Sequence, residues 1–357
     1  MEDALTARLF TRVWERLIPA TRWSTRRARA WSAVFWTLSM PFMLGGEVRR
    51  VRATVGGTSV EALFIGREKR FRDLLRLALP GARVESLGDR ARLRHGPALE
   101  GSTADLVAVE VHPWAQPAFA RAGWHIVPES IRWKMRVADF PPSDARESLR
   151  SDLRKIAKNG YRLEVASYHD QWPEFREQML APLVTRRFGD WAWHPSESML
   201  REIGRRARLL YACRDGERVG GIVVVLRGKE AWIPFLGVRD GADTHVRSGA
   251  IAALYKLTFD WAGDNGIDEI DFGRTCPFPY DGIARFKRKW GLRPAADPLS
   301  PRYAMRVSPR SELLAEAFAR RPVYVLDPAE VRRRSVLGGE RLAAFCGSRG
   351  TASAPLV

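Results

Sequence analysis

Apolar runs between residues 208 and 238 are separated by short polar turns, a pattern typical of β-hairpins. One run ends at Cys213, and two more span 219–226 and 231–238. The pair Asp215-Gly216 separates the first two runs, and Asp-Gly between apolar runs is a strong hairpin signal. The pattern therefore predicts a three-stranded antiparallel meander.

A helix and a further strand follow this meander. After a polar segment predicted to be a loop over 239–248, apolar residues from Ile251 to Ala262 recur at helical spacing. Asn265-Gly266 suits a left-handed helix end, and 267–272 reads as a short strand. A strand joined to the next strand by a helix indicates parallel pairing. We therefore expect Val238 and Ile270 to lie on neighbouring parallel strands.

Similar patterns outside this region indicate a mixed α/β (α+β) fold, with a mixed sheet flanked by helices. Further strands are predicted at 48–55, 59–65, 104–111 and 131–137, and helices at 67–79, 114–122, 171–183, 197–208 and 312–320. Pro141-Pro142 is the predicted linker between a first α/β unit, 47–140, and a second unit, 141–310. The expected flanking segments are 1–46 and a helical, partly disordered tail, 311–357.

Composition adds a strong positive charge to this picture. The 357 residues carry a formal net charge of +18, and hydrophobic residues make up 45% of the chain. Such a field favours polyanions, including tRNA, phosphate-rich cofactors and anionic membrane surfaces, although an arginine-rich genome explains it equally well. The isolated Cys213, Cys276 and Cys346 predict a reducing, cytoplasmic setting, and no metal site or tightly bound cofactor is expected.

Two segments concentrate the basic residues. In 1–46 a basic amphipathic pattern precedes a Trp- and Phe-rich run too short to span a bilayer, which suits either a peripheral membrane contact or a packed helix. A second helix is predicted from Ser143, its expected cap. Arg150, Arg154 and Lys158 are spaced four apart along it, so they share one face. That face predicts either a polyanion contact or a solvated basic surface.

Motifs near both ends of the second unit resemble one enzyme superfamily. Asp271-Phe-Gly273, followed by the stretch from Asp281 to Gly291, is similar to the "D-x-G … F-K-x-x-W/F-G" end of the FemAB branch of the acyl-CoA N-acyltransferase (GNAT) superfamily. The stretch Leu149–Gly160 is similar to the basic helix that opens that domain, and the meander-helix-strand order is that of the GNAT core. The branch includes peptidoglycan aminoacyl transferases and BioF2-like acyltransferases. The resemblance covers about 143–306, and since FemAB-like proteins carry two GNAT-like halves, 47–140 is expected to be the first, degenerate GNAT-like half.

The resemblance implies where an activated donor binds. In this superfamily the donor carbonyl lies where two parallel strands part and is polarised by a backbone N–H of the third meander strand. Pro234 lacks an N–H and belongs at an edge or a bulge, so the donors fall to Phe235, Leu236 and Gly237.

The phosphate-binding loop implied by the resemblance is incomplete. Only Arg247 and Gly249 remain of its pattern, before a helix N-terminus that suits phosphate. The expected donor is therefore acyl-CoA, or, because the loop is incomplete, an acyl carrier protein or aminoacyl-tRNA instead.

Candidate catalytic residues cluster after the last strand. Lys287 matches the motif lysine, and as an exposed or cleft residue it would bind donor phosphate or stabilise an oxyanion. Asp281 or Asp271 would accept the amine proton, Tyr280 would donate to a leaving thiolate, and Arg274 would bind donor. Either aspartate would alternatively cap a helix, and Lys287 would alternatively be a surface lysine.

These expectations combine into an acyltransferase that moves an acyl or aminoacyl group to an amine acceptor, lipidic or membrane-associated. Two alternatives remain open at this point: a long-chain lipid N-acyltransferase at the membrane surface, and a non-catalytic nucleic-acid- or membrane-binding protein on a degenerate GNAT scaffold. The expected location is cytoplasmic, with peripheral attachment to the inner membrane face.

Overall fold

A computed structural model describes most of the chain after residue 46. The described residues are 47–55, 57–66, 75, 78–86, 91–92, 102–112, 115–189, 195, 197–204, 206–297, 300–327, 342–345 and 351–352. Three predicted segments lie wholly or mostly outside them: the N-terminal segment 1–46, the helix 67–79 and the end of the tail, 346–357. Within this part of the chain, no helix is long and apolar enough to cross a membrane.

The strands of the described residues are numbered in chain order. They are β1 Glu47–Val55, β2 Thr58–Ile65, β3 Arg83–Ser86, β4 Ala91–Arg92, β5 Leu106–Glu110, β6 His125–Pro128, β7 Ile131–Arg136, β8 Arg162–Ser167, β9 Ala207–Arg214, β10 Glu217–Arg227, β11 Glu230–Val238, β12 Glu269–Thr275, β13 Arg293–Ala296, β14 Arg302–Val307, β15 Val323–Leu326, β16 Leu342–Phe345 and β17 Thr351–Ala352.

The α-helices are numbered in the same way. They are α1 Gln116–Arg121, α2 Glu147–Lys158, α3 Tyr168–Phe175, α4 Ala181–Phe188, α5 Glu197–Gly204, α6 Asp243–Ser248, α7 Ala250–Asp264, α8 Gly282–Lys289 and α9 Glu312–Arg320. A π-helical turn, Arg176–Leu180, connects α3 to α4, and short 3-10 turns occupy Val137–Asp139 and Arg239–Gly241.

The chain folds into two compact units whose segments alternate along the sequence. Unit 1 contains Trp133–Gly273 and Phe286–Arg293. Unit 2 contains the described residues up to Arg132, together with Arg274–Arg285 and those from Pro294 onward. The predicted linker, Pro141-Pro142, lies inside unit 1. Local composition does not show this division into units, because the division depends on pairing between segments that are far apart in sequence.

Unit 2 is built on a mixed sheet that the C-terminal part of the chain completes. Its order is β3-β1-β2-β5-β14-β6, with β4 beside β1. β2 and β5 are parallel, whereas β14 runs antiparallel to both β5 and β6. A second, three-stranded sheet has the order β15-β16-β17, so the tail contains strands as well as the predicted helix 312–320.

Unit 1 contains the predicted meander and crossover. The seven-stranded sheet that contains them has the order β13-β7-β12-β11-β10-β9-β8, with β10 antiparallel to both β9 and β11. β12 is parallel to β11, and α7 lies between them in sequence, ending at Asn265 with Gly266 in the left-handed region at φ 67°. The predicted parallel pairing is confirmed, and so is the mixed α/β class with two mixed sheets flanked by helices.

Three local predictions in unit 1 were wrong. The segment predicted as a loop over 239–248 contains the 3-10 turn and α6. The helix expected from Ser143 begins at Glu147, because 142–145 form a turn in which Ala145 N donates to Pro142 O. The helix expected over 197–208 ends at Gly204, because Ala207 enters β9 and pairs with Val225.

A network of charged side chains joins the edge of the unit 1 sheet to α3. Arg218 donates to Glu164, at 3.1 Å from Nε to Oε2, and to Glu174, at 2.8 Å. Its guanidinium carbon also lies 4.3 Å from the centre of the Tyr211 ring. The hydrogen bond from Arg218 is the main cause that holds the pKa of Glu164 below its usual value.

Acid should therefore destabilise unit 1 partly through Glu164. A carboxylate with a depressed pKa in the folded state stabilises the fold above its unfolded pKa, about 4.3, and that contribution is lost as the pH falls through the folded pKa. We expect Glu164→Gln to have a lower Tm than wild type at pH 7 and a shallower decline in Tm between neutral and acidic pH. If Tm falls equally steeply with decreasing pH in the two proteins, this role of Glu164 is contradicted.

Candidate active site

The two parallel strands of unit 1 stay paired for only part of their length. The register joins Glu230 to Glu269 and ends with Trp232 opposite Asp271. β11 nevertheless continues to Val238, and β12 continues past Gly273. The ladder therefore ends at Trp232, and the space beyond it, bordered by 234–238 on β11 and by 272–273 at the end of β12, is named here the strand gap.

A β-bulge in β11 lies where the gap begins. Val225 pairs with Trp232 and Val223 with Phe235, so Ile233 and Pro234 together face one residue of β10. A bulge tolerates proline because it leaves a residue outside the hydrogen-bonded ladder. The prediction that Pro234 occupies an edge or a bulge is confirmed as a bulge.

The three predicted donor-binding positions follow this bulge directly. Phe235, Leu236 and Gly237 pair with β10 on one side, and they lie beyond the last residue pair between β11 and β12. They therefore border the strand gap. On the β12 side, at the start of the gap, Gly273 has φ 77°, and a Cβ at this position would lie 3.1 Å from Ile233 O. The two backbones approach closely at this glycine.

The N-terminus of α7 is held by side chains from α2 and the residues after it. Asn159 Nδ2 donates to Ser248 O at 2.8 Å, and Tyr161 Oη donates to the same carbonyl at 3.2 Å. Gly249, the residue before α7, has φ 99° and therefore takes the left-handed conformation that glycine favours. The first turn of α7 carries backbone N–H groups without intrahelical partners, as every helix does.

Lys155 is a residue at this turn that the sequence interpretation missed. Its Nζ donates to Arg247 O at 3.1 Å, and its side chain would contact a Cβ placed on Gly249. The predicted Arg247 side chain is exposed beside it. Lys155 follows Arg154 in the basic helix, but it lies off the face formed by Arg150, Arg154 and Lys158. No sequence pattern indicates Lys155, because its position near 247–249 depends on the fold.

The basic face of α2 is present, with one internal ion pair. Arg150, Arg154 and Lys158 are exposed on this helix. Arg154 pairs with Glu147 at the start of the same helix. Leu149 and Ile156 of the same helix are buried, so the helix is amphipathic. A role of this face in binding polyanions stays a prediction.

Lys287 is buried rather than exposed. Its side chain comes from α8, only 4% of the residue is accessible, and Nζ donates to Phe272 O at 2.7 Å and to Gly273 O at 3.3 Å. The expectation of an exposed or cleft lysine was wrong, because helix α8 turns this residue toward the end of β12. The ammonium therefore lies at the border of the strand gap.

Asp271 and Lys287 both bind the backbone near the end of β12. Asp271 is buried and pairs with Trp232 at the last position before the gap. Its Oδ1 accepts a hydrogen bond from Gly273 N at 2.8 Å, which stabilises the left-handed conformation of Gly273. The predicted Asp271 and Lys287 are thus brought together around Phe272 and Gly273.

The remaining predicted residues belong to unit 2. Asp281 Oδ2 accepts hydrogen bonds from Ile283 N at 2.9 Å and from Ala284 N at 3.1 Å, so it caps α8. Helix capping is the alternative role considered from the sequence, and a role of Asp281 in proton transfer stays a prediction. Tyr280, one residue earlier, is 53% exposed.

Arg274, predicted to bind donor, forms an ion pair inside unit 2. Its partner is Asp297, which is 1% exposed. A second arginine, Arg302, interacts electrostatically with Asp297. Arg302 is also buried, and it donates to Gln116 Oε1 at 2.8 Å. Burial lowers the pKa of Arg302 to about 10, and the charge of Asp297 partly opposes this shift. A role of Arg274 in donor binding stays a prediction.

Among the described residues, no group of three or more His, Cys, Asp or Glu side chains is placed to hold a metal ion. The strand gap instead offers backbone groups, a buried ammonium and a buried carboxylate. These groups suit the stabilisation of developing charge and the positioning of reactants.

Comparison with known proteins identifies the domain that contains this site. Residues 143–288 match the family model of the acetyltransferase (GNAT) domain. This segment includes the meander, α7, the strand gap and Lys287, so the predicted GNAT core is confirmed and the chain carries an N-acyltransferase domain. No curated protein matches the sequence.

Several solved structures, including the following three, have a weak likeness to the chain. The C-terminal domain of a putative lysylphosphatidylglycerol synthetase from Agrobacterium fabrum is 15% identical, with a TM-score of 0.38, covering 85% of this chain and 93% of that one. The L-PGS structure from Bacillus licheniformis is 14% identical, with a TM-score of 0.37, covering 74% and 86%. FemX is 12% identical, with a TM-score of 0.39, covering 75% and 90%. At these scores the likeness carries no functional conclusion.

The burial of Lys287 changes the expected effect of replacing it. Lys287→Met keeps much of the side-chain volume but leaves the carbonyl of Phe272 without this charged donor. A lost hydrogen bond to a buried group costs about 1–3 kcal/mol in the free energy of unfolding. We expect a destabilisation in that range, measured by urea unfolding followed by circular dichroism.

Lys289→Met is the matched control, because Lys289 lies on the same helix and pairs with the partly exposed Asp152. Such an ion pair contributes about 0–1 kcal/mol. Equal stabilities for the two variants would contradict the buried position of Lys287.

Proposed function

We propose that the chain transfers an acyl or aminoacyl group from an activated donor to an amine, with the donor carbonyl bound in the strand gap. The observation that carries this proposal is the parting of β11 from β12 after Trp232 and Asp271, within the segment that matches the GNAT domain. The donor class is acyl-CoA, as for GNAT acetyltransferases, or the aminoacyl-tRNA or acyl carrier protein of the FemAB-like reading. The acceptor is proposed to be lipidic or membrane-associated.

The chemistry is direct transfer through a tetrahedral intermediate. The amine nitrogen attacks the donor carbonyl carbon, a C–N bond forms, and the negative charge develops on the carbonyl oxygen. When the intermediate collapses, the C–S bond of a thioester, or the C–O bond of an aminoacyl ester, breaks and the leaving group takes a proton. The amine loses one proton in the same sequence, to Asp271 or through water.

The N–H groups within Phe235–Gly237 that point away from β10 are proposed to polarise the donor carbonyl. The buried ammonium of Lys287 adds positive charge at the β12 side of the gap, through its position at Phe272 O. A charge in a site that excludes water acts more strongly than it does in solvent. Lys287 is therefore proposed to stabilise the oxyanion, and its burial disfavours the other predicted role, direct binding of donor phosphate.

The anionic part of the donor is proposed to bind at the first turn of α7. Free N–H groups at a helix N-terminus suit phosphate. Lys155 and the exposed Arg247 add two positive charges next to Gly249. This arrangement replaces in part the incomplete glycine-rich loop.

A non-catalytic polyanion-binding protein is the competing proposal. The exposed Arg150 and Lys158 on α2 and the net charge of +18 favour it. It predicts binding that weakens steeply with salt and depends on no single residue of the strand gap.

Activity of Lys287→Met tests the catalytic proposal. Thiol release from acetyl-CoA and longer acyl-CoA thioesters, and deacylation of aminoacyl-tRNA, are measured with a panel of amine acceptors. Loss of one oxyanion-stabilising group lowers kcat by roughly a hundred- to a thousandfold. We expect a loss of this size in Lys287→Met, below its melting temperature, and near wild-type kcat in Lys289→Met. Equal kcat values for all three proteins would remove Lys287 from the mechanism.

The donor-binding role of Lys155 gives a different kinetic result. Removing a contact made equally in the ground state and the transition state raises KM and leaves kcat unchanged. We expect Lys155→Met and Arg247→Met to raise the donor KM selectively. Lys256→Met is the control, because Lys256 lies later on α7 and pairs with Asp260. An unchanged donor KM in both variants would place the anionic part of the donor elsewhere.

A further inference from the structure

A π-helical turn interrupts the helix that covers one face of the unit 1 sheet. It spans Arg176–Leu180, and Ala181 N donates to Arg176 O, five residues earlier. Pro182 explains the wider turn, because proline has no N–H to donate to Gln178 and its ring clashes with that carbonyl in an α-helix. Single π-helical turns occur frequently at functional sites.

The backbone of this turn rests directly on β11 beside the strand gap. A Cβ added to Gly237 would lie 2.6 Å from both Leu180 N and Met179 C, distances that real atoms do not adopt. Gly221, opposite Gly237 in the register, has a similar contact with the Phe175 ring at 2.8 Å. Two facing glycines thus allow the helix and the π turn to contact the sheet without intervening side chains.

β11 needs this contact because it has lost a neighbour. Before Trp232 it is paired on both sides, with β10 and with β12. From Phe235 to Gly237 only the β10 pairing remains. The π turn therefore supplies the second constraint on the segment whose N–H groups are proposed to bind the donor carbonyl.

Arg239 fixes the π turn in place. Its Nη1 donates to Gln178 Oε1 at 2.6 Å, within the turn, and its Nη2 donates to Glu174 Oε1 at 3.2 Å, on α3. Its Nε donates to Arg218 O at 2.6 Å, on β10. Arg239 follows β11 immediately, so one planar guanidinium joins the end of β11, the adjacent strand and the helix. Only arginine offers donors in this forked geometry.

We propose that Arg239 is a positioning residue of the acyl-transfer site: it clamps the π-helical turn onto Gly237 and so holds the carbonyl-binding segment of β11 rigid where β12 departs. The inference rests on the proposed function, and it adds a residue outside the strand gap whose effect reaches the reaction through the backbone of β11. A small misplacement of reacting groups costs up to about a hundredfold in rate.

The experiment compares Arg239→Lys and Gly237→Ala with wild type. Lysine keeps the charge but not the fork, and the alanine methyl pushes the π turn away from β11. The control is Arg186→Lys. Arg186 lies on α4 and, like Arg239, connects two elements of unit 1, but it does so through an exposed ion pair with Asp243 on α6. Steady-state kinetics with the donor that wild type uses in the thioester and aminoacyl-tRNA screen give kcat and donor KM. Hydrogen exchange measured by mass spectrometry reports the opening of peptides that cover 176–180 and 235–237.

We expect kcat to fall about ten- to a hundredfold in both test variants, with a smaller change in donor KM, and faster exchange in 176–180 and 235–237 but not in β9. Arg186→Lys should match wild type in every measurement. Wild-type kcat or unchanged exchange in Arg239→Lys would overturn the positioning role while leaving the proposed function intact. A wild type that is inactive with every donor would overturn the proposed function, and the positioning role with it.

Discussion

The site depends on a single constraint, the short parallel pairing of β11 with β12. Three residue pairs hold the strands together, from Glu230 with Glu269 to Trp232 with Asp271. Beyond them, the bulge at Ile233 and Pro234 changes the course of β11, and the ammonium of Lys287 binds the carbonyls of Phe272 and Gly273. Pairing that continued to the strand ends would leave no space for a substrate and no unpaired N–H groups to bind one.

The side chains around the gap divide into groups that act on charge and groups that hold the backbone. Lys287 and Asp271 bring the buried charges. The glycines at 237 and 273 allow close approach of backbones, and the π turn covers the β11 side. This division fits the proposed acyl transfer, because that reaction requires polarisation and alignment more than covalent participation.

Elements with local signals were predictable from the sequence, whereas those set by distant contacts were not. The meander and α7 follow from hairpin turns and helical periodicity, and the parallel pairing follows from the crossover rule. The helix α6 was missed because its sequence, Asp243 to Ser248, has no apolar periodicity, and its end is fixed by Asn159 and Tyr161 from another part of the chain. The alternation of unit segments was hidden for the same reason, since β14 completes a sheet formed by residues far earlier.

The candidate site shows the same contrast. The motif around Lys287 and the position of Pro234 were visible in the sequence, and both residues lie at the gap. Lys287 is buried because of the path that β12 takes. Asp281 caps a helix because α8 starts immediately after it, and Arg274 forms an ion pair because Asp297 lies beside it in the fold. Residue type and spacing do not encode these contacts, so the sequence alone could not predict them.

A crystal structure of the protein with a non-reactive analogue of its acyl donor tests the central claim most directly. The measured quantity is the position of the donor carbonyl, or of the atom that replaces it, relative to β11. We predict that this oxygen lies within hydrogen-bonding distance of a backbone N–H of Phe235, Leu236 or Gly237, inside the strand gap. A donor bound with its carbonyl outside the gap, or β11 and β12 paired along their full length in the complex, would contradict it.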